Sequence, residues 1–197
     1  YLRERTNSTA HGRVVFYCTD AEHGLVLPEG AAMADHVLRD SNACRLEKSY
    51  VTRISGLSRY IEMAQNDSTM HYAVDLNGEW DENTGRSLPV QFTGELTIPA
   101  NMTLECHSGG MEVLGTMCVY GEMVCNADIQ VSGGLVMCLG STAELRGDVT
   151  VTGALTVQQS AVATIYYLSG SGTITNNGTL KVSTLEAGTV ISGSGDG

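Results

Sequence analysis

The sequence predicts a mainly β protein, a parallel β-helix (β-solenoid) of about 19 residues per coil with a small mixed α/β N-terminal cap region. Three observations predict it. Glycine returns every 19 residues at Gly115, Gly134, Gly153 and Gly172, and a second track at Gly121, Gly140 and Gly178 keeps the interval, missed only at Gln159. Two places after each glycine of the first track stand Met117, Val136, Leu155 and Ile174, with Ile98 in the row above, an expected inward core ladder. Between the glycines, apolar and polar residues alternate, as in Gly153-Ala-Leu-Thr-Val157 and Gly178-Thr-Leu-Lys-Val182. A fixed interval of this size marks one unit stacked on copies of itself, and alternation is the strand period, one face in and one out.

Taken along the chain, Arg13-Val-Val-Phe-Tyr-Cys18 predicts a strand, and Pro28 opens a helix pattern that runs to Arg39, proline being suited to a first helical turn. A second helix is expected over Leu57–Ala64, where Leu57, Tyr60, Ile61 and Ala64 share one face, with Ser58 as its N-cap. His71-Tyr-Ala-Val-Asp-Leu76 then alternates like a strand ending at an Asn77-Gly78 turn. The end coil of a solenoid would expose its apolar interior, so the helix reads as its cap. Two regions follow: 1–70, mixed α/β with the capping helix, and 71–197, the solenoid. Residues 87–197 would form nearly six coils, and at about 4.8 Å per coil roughly 28 Å of solenoid.

Composition narrows the function. The chain of 197 residues holds 23 glycines but only two lysines, Lys48 and Lys181, and has a net charge of −11. Residues 87–197 carry nine acidic and two basic groups, Arg146 and Lys181. So few cations cannot neutralise phosphates, which argues against nucleic acid as a partner and against anionic membrane surfaces. No apolar run approaches the ~20 residues of a spanning helix, so no membrane insertion is expected. The chain opens at Tyr1 without a basic-then-apolar signal, which predicts a processed mature chain or a fragment. Its last residues, Val190-Ile-Ser-Gly-Ser-Gly-Asp-Gly197, hold no capping pattern, so either the chain continues or the open end meets another subunit.

The repeats Phe92-Thr-Gly-Glu-Leu-Thr-Ile-Pro-Ala-Asn-Met-Thr-Leu104, Gly153-Ala-Leu-Thr-Val157 and Asn177-Gly-Thr-Leu-Lys-Val182 resemble those of right-handed parallel β-helix surface proteins, the filamentous-haemagglutinin and autotransporter-passenger type. The resemblance covers residues 71–197 and implies a secreted, surface-exposed solenoid. The chain is also similar to the cysteine-bearing, amyloid-like sheath protein that encases some methanogenic archaea, which implies β-coils, disulfide cross-links and an extracellular address.

The cysteines are Cys18, Cys44, Cys106, Cys118, Cys125 and Cys138. No CxxC spacing occurs and Cys106-His107 is the sole close Cys/His pair, so neither a metal site nor a cofactor is expected. An even count in a glycine-rich β protein points instead to disulfides in an oxidising compartment. Cys106 and Cys125 lie one period apart and should stack in neighbouring coils, within disulfide range, whereas Cys118 and Cys138 are one place out of phase. They should face opposite sides unless a bulge intervenes, leaving a thiol free for another subunit; buried free thiols remain the alternative for all four. Sequons at Asn7, Asn66, Asn101 and Asn177 fit a glycosylated extracellular chain with covalent glycans.

No catalytic set emerges. Glycoside hydrolysis needs two carboxylates about 5–10 Å apart across the bond; the solenoid offers only Glu105, Glu122 and Glu144 near corresponding positions, a loose ladder on a solvated face. Thr19, Asp20 and His23 lack the oxyanion loop that would make them a triad. Arg146-Gly-Asp148, an integrin-type tripeptide, falls in phase with the repeat and reads as a corner. The expectation is therefore a structural subunit, not an enzyme: an extracellular, cell-surface protein that self-assembles with copies of itself into a fibre, layer or sheath through β-ladder stacking and disulfides. The alternatives are an adhesin or binding passenger stalk, with a sealed end and a contact loop, and a polysaccharide-acting enzyme, which would need the absent acidic cluster.

Overall fold

Alternating residues and glycine corners do build a stack of parallel strands. The computed structural model describes residues 46–51, 54–69, 71–77 and 80–197, and over these the chain forms a mainly β solenoid of about five turns. The stack begins with β1 (Leu46–Val51), helix α1 (Ile54–Asn66) and β2 (His71–Asn77), followed by a small hairpin of β3 (Trp80–Asp81) and β4 (Arg86–Ser87). The first coil is completed by β5 (Val90–Phe92) and β6 (Glu95–Ile98). The second consists of β7 (Met102–Ser108), β8 (Met111–Val113) and β9 (Thr116–Val119), the third of β10 (Glu122–Cys125), β11 (Ile129–Val131) and β12 (Gly134–Met137). In the later coils the first two strands run on around their corner: β13 (Thr142–Val151) with β14 (Ala154–Val157), β15 (Val162–Ser169) with β16 (Thr173–Asn176), and β17 (Thr179–Leu185) with β18 (Ile191–Ser192).

Three faces result. The first stacks β1, β2, β7, β10 and the leading halves of β13, β15 and β17; the second stacks β5, β8, β11 and the trailing halves. The third is a six-stranded sheet, β6 through β18. Every pairing is parallel except β3 with β4. In the strands of the middle coils one side chain is buried and the next is not, as in β14, where Leu155 and Val157 point inward and Ala154 and Thr156 outward. The core is thus a set of vertical aliphatic ladders, and each rung buries the one before it.

The expected ladder of Ile98, Met117, Val136, Leu155 and Ile174 needs correction in two rows. The register pairs Leu96, Met117, Leu135, Leu155, Ile174 and Ile191 in succession. Val136 stands one place off, between Cys118 and Thr156 on the outer surface, and Ile98 belongs to the next inward ladder with Val119, Met137 and Val157. The cause is coil length. The corner glycine of the third coil is Gly133, not Gly134: a Cβ on Gly133 would overlap the carbonyl oxygen of Gly115, whereas one on Gly134 would meet nothing closer than 3.7 Å. The second track shifts likewise. Gly121, Ser141, Ala161 and Gly178 share one register position, each just ahead of paired residues. Gly140 belongs to a turn inserted before that position, matched one coil later by Ser160, and both have positive φ (76° and 62°).

At the N-terminal side, Leu57, Ile61 and Ala64 are buried against the first coils, as an amphipathic cap requires. The helix begins at Ile54, so Ser58 lies within it rather than at its N-cap. Its other end is closed by a distant side chain: Asn101 Nδ2 donates to the carbonyls of Ala64 and Asp67, both at 3.0 Å, satisfying acceptors that a helix end leaves open. The sheet starts ahead of residue 71, because β1 pairs in parallel with β2 and α1 is the crossover between them. The expected strand at 13–18 and helix at 28–39 lie outside the described residues.

Candidate functional site

Four cysteines fall among the described residues, and all are free thiols. Cys106 and Cys125 are register partners on adjacent rungs of the first face, with Leu76 before them and Leu145 after. Both point inward and are fully buried. Their thiols lean the same way, Cys106 Sγ toward Ser108 O at 3.7 Å and Cys125 Sγ toward Ala127 O at 3.1 Å. The hydrogen bond between the two, together with burial, pushes the Cys125 thiol up, and the same bond draws the Cys106 thiol down. Two stacked sulfurs in an apolar interior cannot both ionise.

The out-of-phase expectation for Cys118 and Cys138 is corrected. Cys118 lies between the inward Met117 and Val119, and Cys138 follows the inward Met137, so both point out of the third face. Cys138 N donates to Val119 O at 2.8 Å, which brings Cys138 beside Tyr120. The short coil between Gly115 and Gly133 turns the one-place offset into two places, which returns both cysteines to the same face. Burial raises the Cys138 thiol, with Cys118 and Tyr120 both acting on it. Cys18 and Cys44 lie outside the described residues.

The three glutamates do not form a ladder. Glu105 pairs with Asp75 and Val124, and Glu144 follows Val124, while Glu122 lies on the other outward track between Thr103 and Thr142. A polar strip does run across these rungs. Thr103 Oγ1 donates to Glu122 Oε2 at 2.9 Å and lies 2.8 Å from His71 Nε2. His107 bridges Glu105 (3.1 Å) and Asn126 (2.8 Å). Asp75, Glu105 and His107 have ligand-type atoms all within 4.8 Å of one another, but Asp75 and Glu105 each have a further polar partner. Thr103 is buried, so its hydroxyl offers no approach to a substrate. These bonds tie neighbouring coils together. Arg146 is held by Glu144 at 2.8 Å, and Gly147 sits at the corner where the register of β13 shifts, so Arg146-Gly-Asp148 is part of a corner. Thr19, Asp20 and His23 lie outside the described residues.

Of the sequons, Asn101 is unsuited to glycosylation, since its amide nitrogen closes α1 with both hydrogens engaged. Asn66 and Asn177 are exposed, and Asn7 is outside the described residues.

The last rung differs from those before it. Leu185 and Ile191 continue inward ladders yet are 45% and 36% exposed, whereas Leu168 and Ile174, one rung earlier, are 0% and 1%. Val190 beside them is 71% exposed. Residues 193–197 run on in parallel over the start of β17: Asp196 bridges Thr179, and buried Asn176 donates to Asp196 O at 2.9 Å. The remainder of the rung presents core side chains and strand edge. Among the described residues no helix is long and apolar enough to cross a membrane.

The fold and these features define a parallel β-solenoid with stacked thiols. In comparison with known proteins, no family model, no curated protein and no solved structure matches this chain.

Proposed function

We propose that the protein is a structural subunit of an extracellular assembly, a fibre, layer or sheath in which copies of the chain join through solenoid ends and are locked by disulfides. The observation that carries this reading is the stack of parallel rungs itself, whose strand ladders and inward side chains are of the kind that further β rungs extend. Leu185, Val190 and Ile191 are ladder-side residues that a further rung would cover. At roughly 25 cal/mol per Å² of apolar surface, covering three such side chains contributes a few kcal/mol before any new backbone ladder forms. The resemblance to haemagglutinin-type and autotransporter β-helices, and to archaeal sheath proteins, supports the same surface role, and the exposed sequons at Asn66 and Asn177 are compatible with glycans there.

The test is to concentrate the purified 197-residue chain and follow it by light scattering and negative-stain microscopy, with and without a thiol reductant. Fibres or sheets that denaturant dissolves only when reductant is present are expected. A stable monomer at high concentration would overturn the assembly, and release of monomers by denaturant alone would overturn the cross-linking.

A further inference from the structure

We infer that Cys118 and Cys138, with Tyr120 beside them, form an outward-facing site for a soft, thiophilic metal ion of the Cu(I), Zn(II) or Cd(II) class. The site is separate from the inner cysteine pair, and stacking of solenoid ends does not require it. Its geometry follows from the register. Cys118 is the partner of Val136, and Cys138 is two residues further along the same outward track. The Cys138 thiol does not project away along the strand; it folds back to 3.7 Å from Val136 O, toward the position above Cys118. Cys138 N bonds to Val119 O, so the next residue of that strand, Tyr120, lies alongside Cys138. The register therefore brings two cysteines and a tyrosine to neighbouring positions at the edge of the third face. Cys138 is only 2% exposed, Cys118 is half-buried and Tyr120 is 46% exposed, so the spot is sheltered but reachable from solvent.

An ion suits this pair better than a disulfide. Diagonal neighbours on a straight ladder have Cα atoms about 8 Å apart, from a strand spacing of ~4.8 Å and two residues of ~3.3 Å, which is beyond the range a disulfide spans without backbone movement. A metal bridges the wider gap, since each metal–sulfur bond is itself about 2.3 Å. Thiolate donors select soft ions over magnesium or calcium. Binding is not a redox step: each thiol gives its proton to solvent, two protons leave per ion, and the ion takes two metal–sulfur bonds. Apart from Glu95 on β6, the strands of the third face offer mainly short uncharged outward side chains such as Thr156, Thr173 and Thr175, and the sulfur pair is its set of soft donors.

The experiment titrates the reduced full chain with Cd(II), reading the ultraviolet sulfur-to-metal charge-transfer band and the protons released. The series comprises the natural chain, Cys118→Ser, Cys138→Ser, Tyr120→Phe and the inner-pair control Cys125→Ala, each checked for unchanged far-ultraviolet circular dichroism. The expected result is that Cys118→Ser and Cys138→Ser each lose one equivalent of tightly bound Cd(II), that Cys125→Ala retains it, and that Tyr120→Phe binds several-fold more weakly. Full stoichiometry in either outer-cysteine variant would overturn the proposal, as would loss of the equivalent only in Cys125→Ala. A loss of binding with unchanged circular dichroism cannot arise from misfolding.

Discussion

Cys106 and Cys125 occupy the same inward position of two adjacent rungs, paired Cα to Cα, with leucines above and below them in the ladder. Parallel neighbours stand about 4.8 Å apart, inside the separation a disulfide spans, yet the two sulfurs fill the space that leucine fills elsewhere. The thiols serve first as small apolar side chains. In the native, reduced protein both should resist alkylation near neutral pH, because burial and the shared hydrogen bond push the Cys125 thiol up and no reagent reaches either sulfur. The measurement is mass-spectrometric mapping after iodoacetamide, native against unfolded. Rapid native labelling of Cys125 would show that this ladder is not closed. Exposure to an excess of a small disulfide during refolding should instead join the two, each thiol losing a proton while two electrons pass to the oxidant.

The corrected ladder separates two neighbouring positions sharply. Leu155 is 1% exposed between Leu135 and Ile174, and Val136 lies on the outer surface. Leu155→Ala should cost about 2–5 kcal/mol through lost burial and a cavity, and Leu155→Asp should prevent folding by burying an unpaired charge. Val136→Asp should fold normally, within about 1 kcal/mol of the parent, as substitutions at partly exposed sites usually do. Thermal melts of the purified variants decide it, and a folded, soluble Leu155→Asp would reverse the assignment of faces.

Legibility follows the same division. The alternation in Ala154-Leu-Thr-Val157 carries its own face assignment, and the 19-residue spacing of Cys106 and Cys125 is their true register. Val136 was misplaced because Gly133 and Gly134 are adjacent, and only the approach of the Gly115 carbonyl distinguishes the corner glycine from its neighbour. Successive rungs of the third face, read from Leu96 to Met117 and on to Leu135, span 21 and then 18 residues, so a rigid 19-residue period slips by two places and then by one where turns lengthen or shorten. The Cys118–Cys138 pair was lost to the same slip. The Asn101 contact with α1 joins residues 37 positions apart, and no local pattern announces such a contact.

Corners give a paired prediction with opposite signs. A methyl group on Gly153 would overlap the Gly133 carbonyl oxygen, so Gly153→Ala should force neighbouring rungs apart and destabilise the fold by about 1–3 kcal/mol. Ser160 holds φ at 62° in the turn where the previous coil has Gly140. Such a backbone strains a residue with a side chain by about 1–2 kcal/mol, so Ser160→Gly should stabilise, offset in part by the entropy glycine loses on folding. The expected rise in Tm is a few degrees, since 1 kcal/mol moves a chain of this size by about 2–4 °C. A lower Tm for Ser160→Gly would mean that its side chain contributes more than its strain costs.

The β3–β4 hairpin supplies a pH test. Asp81 accepts hydrogen bonds from Thr84 Oγ1 at 2.7 Å and from Asn83 N at 2.9 Å, and these hold its carboxyl below the ordinary value. A carboxyl depressed in the folded state stabilises the turn above its unfolded pKa of about 3.9, and that contribution is lost as pH falls through the lower folded value. Nuclear magnetic resonance should show the Asn83 and Thr84 amide signals moving together at a midpoint below that ordinary value, and Asp81→Asn should abolish the transition. A midpoint at or above the unfolded value would show that these bonds do not favour the ionised form.

The end rung yields the prediction on which the assembly turns. Ile191 and Leu185 are ladder residues that remain substantially exposed, and the parallel segment at Asp196 covers only the start of β17. Charge there should act on association and not on folding, because a lysine at position 191 can reach solvent where one at position 174 could not. Ile191→Lys and Leu185→Lys should therefore keep the monomer's circular dichroism and melting behaviour close to the parent, yet abolish concentration-dependent growth in light scattering. The double variant should remain monomeric even under oxidising conditions, since disulfides between chains form only after the ends have met. Polymers of unchanged abundance from the double variant would place the contact on a lateral face, and a monomer that fails to fold would show that the rung is part of the core rather than a joint.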